Sequence, residues 1–197
     1  MSRYLRTFAA AAGLFGLLVP ATGQADDNRH LHTTLSGLNE VHGPGVGAIF
    51  STGSGRIKLK IDKQDREIRF ELTYAFPEAA ATPIVGAQFV NQAHLHFGQK
   101  HTTGGIAVWL CESLDNPAPA SVAADTATCP SPSGKVTGII RPEHVLALGG
   151  QGFPAGEPGF DGLLDALRAG TIYANVHTDR FGPGEIRGQL EHDHDDD

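Results

Sequence analysis

The chain runs to 197 residues with 22 acidic and 15 basic side chains, a formal net charge of -7, and is punctuated by 25 glycines and 12 prolines. An acidic chain with no basic stripe is a poor match for nucleic acid, because nothing on it would release phosphate counterions. The length suits one domain with a real core, and glycine and proline at this density favour short strands over helices.

The first segment reads as a signal. Arg3 and Arg6 precede an almost unbroken apolar run from Phe8 to Pro20, and Gly23-Gln24-Ala25 supplies the small residues a signal peptidase reads. A secretory signal over residues 1–25 is therefore expected, too short for a transmembrane span, and no other stretch approaches bilayer length. Removing Arg3 and Arg6, two cations and no acid, takes the charge from -7 to -9. The mature protein is expected to be secreted or periplasmic. Its domain covers residues 26–191, and an acidic, histidine-bearing tail over 192–197 is expected to be solvated and disordered.

Residues 31–38 read as a first strand, Gly43-Pro44-Gly45 as a turn, and Val46 opens the next segment. Residues 56–61 and 67–74 alternate strictly about a turn at 62–65. This predicts a hairpin with Ile57, Leu59, Ile61, Ile68, Phe70 and Leu72 inward. A loop over 77–83 leads to strands at 85–97, 106–111 and 136–141. Short helices are expected at 142–148 and 160–169, the second ended by Gly170. Residues 171–177 and 185–190 close the domain as a hairpin. The plan is all-β, an antiparallel Greek-key β-sandwich or barrel with one or two short helices.

Two cysteines, Cys111 and Cys129, most simply pair as a disulfide in an oxidising compartment and staple a Pro-rich insertion. The alternative, one of them as a thiolate ligand, lacks the close Cys-x-x-Cys spacing of a metal clip.

The chemistry lies in histidines on strands. Gln92, His94 and His96 share one face of their strand, and His101 follows a turn that could swing it back toward them. Tyr173, Asn175 and His177 share a face of another strand, as do Glu185, Arg187 and Gln189. Setting His177 opposite Glu185 places Asn175 opposite Arg187, so the polar faces coincide. His94, His96, His177 and His101 are therefore candidate metal ligands, with Glu185, Arg187 and Asn175 around them. A carboxylate such as Glu185 would fix an imidazole's tautomer. An imidazole-rich set without thiolate suits copper ahead of zinc.

Against this stands the reading of ordinary histidines on a wet sheet face, with Glu185 and Arg187 as a structural ion pair. The metal reading requires His177 within about 10 Å of both His94 and His96, since ligand bonds are near 2 Å. His30 and His32 lie beside the expected cleavage point and His192 and His194 in the tail, while His42 and His144 have no visible partner. No Gly-x-Ser-x-Gly elbow, P-loop or His-Glu-x-x-His helix is present.

Four segments carry a family resemblance: Leu35-Ser36-Gly37-Leu38-Asn39-Glu40-Val41, Ala93-His94-Leu95-His96-Phe97-Gly98, Tyr173-Ala174-Asn175-Val176-His177-Thr178, and Gly184 through Leu190. Together and in this order they resemble the CHRD domain, named for chordin and found in many secreted bacterial proteins. The resemblance implies an extracytoplasmic β-sandwich. The chain departs from it in the insertion bearing Cys111 and Cys129 and in the tail. A looser likeness is to the copper site of copper–zinc superoxide dismutase, whose His-x-His strand and later Val-His are matched by His94, His96 and His177. The bridging histidine and zinc-site aspartate of that enzyme are not matched; His101 is the nearest candidate for the bridge. The expected function is metal holding or sensing. Two alternatives stand beside it: a module binding matrix or another extracytoplasmic protein with structural histidines, and a copper-dependent redox enzyme.

Overall fold

The computed structural model describes residues 29–42, 47–77 and 89–192. The expected signal, the turn at 43–45, most of the 77–83 loop, the start of the 85–97 strand and the tail beyond His192 lie outside the described residues.

Alternation of apolar and polar side chains makes the sheet. β1 (His30–Ser36), β2 (Ser54–Ile61) and β3 (Ile68–Ala75) form a meander in continuous antiparallel register. Leu31, Leu35, Ile57, Leu59, Ile61, Ile68 and Leu72 are buried on its inner side, while Lys58, Lys60 and Arg69 are exposed on the other. The β2–β3 turn is held by the Asp62 carboxylate, which accepts from the backbone amides of Arg66 and Glu67 at 2.5 and 2.8 Å. β4 (Val90–Phe97) and β5 (Gly105–Glu112) form a second hairpin, and β6 (Ala127–Thr128) lies parallel to β5. β7 (Ser133–Ile140) pairs with β3, and β8 (Ile172–Thr178) with both β4 and β9 (Ile186–Gln189).

The order β6-β5-β4-β8-β9-β1-β2-β3-β7 curls into a nearly closed barrel, with β10 (Glu191–His192) added beside β1. The all-β expectation holds, and the long β3–β4 and β7–β8 connections are consistent with a Greek key. The sheet is mixed, because β5–β6 is parallel. Among the described residues one α-helix, α1 (Gly156–Arg168), places Phe160, Leu163, Leu164 and Leu167 in the same core as the strands. It ends, as expected, at Gly170 with φ +65°.

The differences are local. α1 begins before residue 160 because its first turn, Gly156-Glu157-Pro158, carries no apolar periodicity. The segment expected as a helix over 142–148 is helical only as a 3-10 turn at Pro142–His144. β6 is two residues long, too short to leave a pattern. His192, the first residue of the expected tail, pairs with Leu31, next to the pairing of Glu191 with His32.

Cys111 and Cys129 are bonded, with both residues in the core. The bond ties the 112–128 excursion to β5. Intact mass should therefore fall about 2 Da below the dithiol value, one hydrogen per sulfur. The double variant Cys111→Ser/Cys129→Ser should lose about 3 kcal/mol in denaturant unfolding, the loop-closure entropy of a loop this size.

Candidate metal centre

The barrel's outer face builds the site. Ala93 and Leu95 of β4, and Ala174 and Val176 of β8, point into the core. The alternate residues therefore stand on the outer side. The register sets Gln92 beside His177, His94 beside Asn175 and His96 beside Tyr173. Asn175 in turn faces Arg187 of β9, the pairing expected from sequence.

This outer face is not wet. His94 is 0% exposed, His96 7% and His177 6%. Backbone from neighbouring loops closes over them. The His96 ring donates from Nδ1 to the Gly104 carbonyl at 3.0 Å, and the His177 ring donates from Nδ1 to the Gly182 carbonyl at 2.7 Å. A carbonyl only accepts, so each Nδ1 carries the proton and each Nε2 keeps its lone pair. Of the two, Gly104 is required as glycine: a Cβ there would run into the Phe97 carbonyl, whereas at Gly182 it would meet nothing within 4 Å.

Donor atoms of His94, His96 and His177 all lie within 4.8 Å of one another, well inside the 10 Å requirement. His94 Nδ1 faces His177 Nε2 at 3.2 Å, and Asn175 Oδ1 lies 3.0 Å from the same nitrogen, where the lone-pair tautomer of His177 calls for the amide to turn its NH2 side. His94 Nε2 and His96 Nε2 have no hydrogen-bond partner. Unpaired buried nitrogens are costly, which marks a place where a ligand belongs. Burial lowers the basicity of all three rings. It brings His96 and His177 to about 4, and it takes His94 well below the ordinary range with help from the neighbouring His177 and His96. Three neutral imidazoles are the form that binds a cation.

Aromatic rings fix the rotamers. Trp109 meets His94 edge-on at 4.3 Å, and Tyr173 stacks on His96 at 4.7 Å with planes 2° apart. The Arg187 guanidinium lies over the Tyr173 ring at 3.4 Å.

Two expected partners stand elsewhere. His101 is exposed on the β4–β5 loop at φ +65° and does not join the three-histidine group. The Glu185 carboxylate accepts from Ser51 Oγ and Thr178 Oγ1, each at 2.5 Å, so the Gly182 carbonyl fixes the His177 tautomer in its place. The expected Glu185–Arg187 ion pair does not form either, since those hydroxyls hold Glu185 while Arg187 lies over Tyr173. Glu40, which carried no sequence signal of its own, is 3% exposed with Oε2 unpartnered. Burial raises its pKa, against the opposing Val41 amide and Arg187 charge. Gly184, at φ +132°, makes room for it: a Cβ there would sit 2.7 Å from Glu40 Oε2 and 2.9 Å from Asn175 Nδ2.

The family model of the CHRD domain matches residues 31–190, most of the chain. The chain belongs to the CHRD domain family. Neither a search of curated proteins nor a search of solved structures gave a significant match. In this CHRD domain the four segments that carried the resemblance meet at one place. They bring Glu40, the His94–His96 pair, the Asn175–His177 pair, and Gly184 with Arg187 to the same patch of the barrel. Among the described residues no helix is long and apolar enough to cross a membrane.

Proposed function

We propose that this CHRD domain is an exported protein that holds one transition-metal ion, copper ahead of zinc, on His94, His96 and His177. Its task is holding or sensing the ion rather than turnover. The observation that carries the reading is the convergence of three buried, neutral imidazoles with donor atoms within 4.8 Å. Backbone carbonyls fix two of them in one tautomer. Carbonyl-oriented imidazoles are the usual outer support of metal-bound histidine, and a thiolate-free nitrogen set follows copper above zinc in intrinsic affinity. The disulfide and the signal-like N-terminus support export.

The chain's one tryptophan, Trp109, reports on the site directly, because its ring centroid lies 4.3 Å from that of His94. Copper(II) added to chelator-stripped mature protein should quench Trp109 fluorescence with a break at one equivalent. A chain ended after His192, which keeps the β1–β10 pairing, should show the same break. Loss of stoichiometric quenching on truncation would place the binding in the tail instead.

A further inference from the structure

A cleft of about 220 Å³ opens beside β1 and β9 and the β4–β5 loop, its lining including Thr33, Thr34, Lys100, Arg187, Gln189 and Glu191. The strand order β4-β8-β9 puts His96 and Arg187 on opposite sides of Tyr173, so this cleft is separate from the histidine group.

Its Arg187 is a buried cation that feels the charge of buried Glu40 without being bonded to it. The residue is 2% exposed, its Nη2 donates to the Gln99 carbonyl at 3.2 Å, and its Nη1 has no partner. Among the described residues no carboxylate forms an ion pair with it. A guanidinium keeps its charge, and its buried Nη1, left without a partner, calls for an acceptor; its planar fork fits the two oxygens of a carboxylate.

Gln189 sets the opposite requirement. Its Nε2 donates to the carbonyls of Gly98, Gly170 and Ile172 at 3.1, 2.8 and 3.0 Å. Those bonds lock the amide and leave Oε1 buried without a donor. The cleft thus offers an unpartnered donor and an unpartnered acceptor, with Lys100 adding a second cation and Glu191 a second acceptor. A plain oxyanion would satisfy Arg187 alone and be repelled by Glu191.

We propose that this cleft binds a small carboxylate bearing a hydroxyl or ammonium group on the adjacent carbon. The carboxylate would lie on Arg187 and Lys100, and its neighbouring donor on Gln189 Oε1 and Glu191.

The test is calorimetric titration of the chelator-stripped, desalted full chain with glycolate, glycine, acetate and sulfate. Glycolate or glycine should saturate one site at millimolar concentration, and the stronger of the two identifies the donor as hydroxyl or ammonium. Acetate and sulfate should bind at least about tenfold more weakly, the worth of one further charge-assisted bond. Arg187→Lys keeps the charge and loses the fork, and should weaken binding by more than about tenfold. Lys100→Ala, on an exposed loop residue whose loss leaves the fold intact, should weaken it by about three- to tenfold. Three results would overturn the proposal: no saturable binding of glycolate or glycine, sulfate or acetate binding as tightly, or affinity unchanged in Lys100→Ala.

Discussion

Replacing His96 with alanine is expected to lower copper affinity by at least about a hundredfold, and His94→Ala and His177→Ala by similar amounts. Outer groups that merely orient a ligand are worth about 10- to 100-fold, so a lost ligand from a set of three costs at least that much. The measurement is competition against a chelator of known affinity. His101→Ala is the control: an exposed ring outside the group should leave affinity unchanged. Equal losses in His101→Ala and His96→Ala would remove the three-histidine assignment. Stability does not discriminate here. The rings are buried, so each alanine should also cost the metal-free protein about 1–3 kcal/mol through a cavity or a stranded carbonyl. His177→Ala does so by freeing the Gly182 carbonyl. Affinity must therefore be compared on variants shown to be folded.

What the sequence made legible follows from strand periodicity. Ile57, Leu59, Ile61, Ile68, Phe70 and Leu72 point inward because alternation admits only one choice of buried face. The same rule set His94 and His96 on one side, and hairpin pairing set Asn175 against Arg187. Periodicity could not show that the outer face would be covered. The cover is backbone, the carbonyls of Gly104 and Gly182, and a carbonyl that orients an imidazole leaves no trace in side-chain identity. For that reason a carboxylate, Glu185, was the natural candidate for a role that a loop carries out. Glu40 was hidden for a related reason. Its burial arises from the approach of the β8–β9 loop at Gly184, a contact about 140 residues away along the chain that no local pattern records.

Metal-free protein is expected to lose stability steeply between pH 6.5 and about 4, the larger of the two effects on the fold itself. In the unfolded chain His96 and His177 take protons near pH 6.5, while in the folded chain burial holds both at about 4. Across that window the unfolded state binds more protons, so stability falls as pH falls. Above pH 6.5 both states are neutral and nothing is lost; below about 4 both are charged and the loss is complete. Each ring accounts for about 3 kcal/mol over the window, since one proton taken up only by the unfolded chain is worth about 1.4 kcal/mol for each pH unit crossed. His94, pushed further in the same direction, adds to the loss. Glu40, whose pKa is raised, opposes it by favouring the folded state as it takes up a proton. Urea midpoints at pH 7.5 and 4.5 measure the difference. The double variant His96→Gln/His177→Gln, which cannot take up these protons, should show a much shallower pH dependence. A wild-type midpoint that hardly moves between the two pH values would mean that the rings are hydrated in solution. Bound copper competes with the same protons for the same nitrogens, so the loaded protein should keep its stability to lower pH and release the ion as it unfolds.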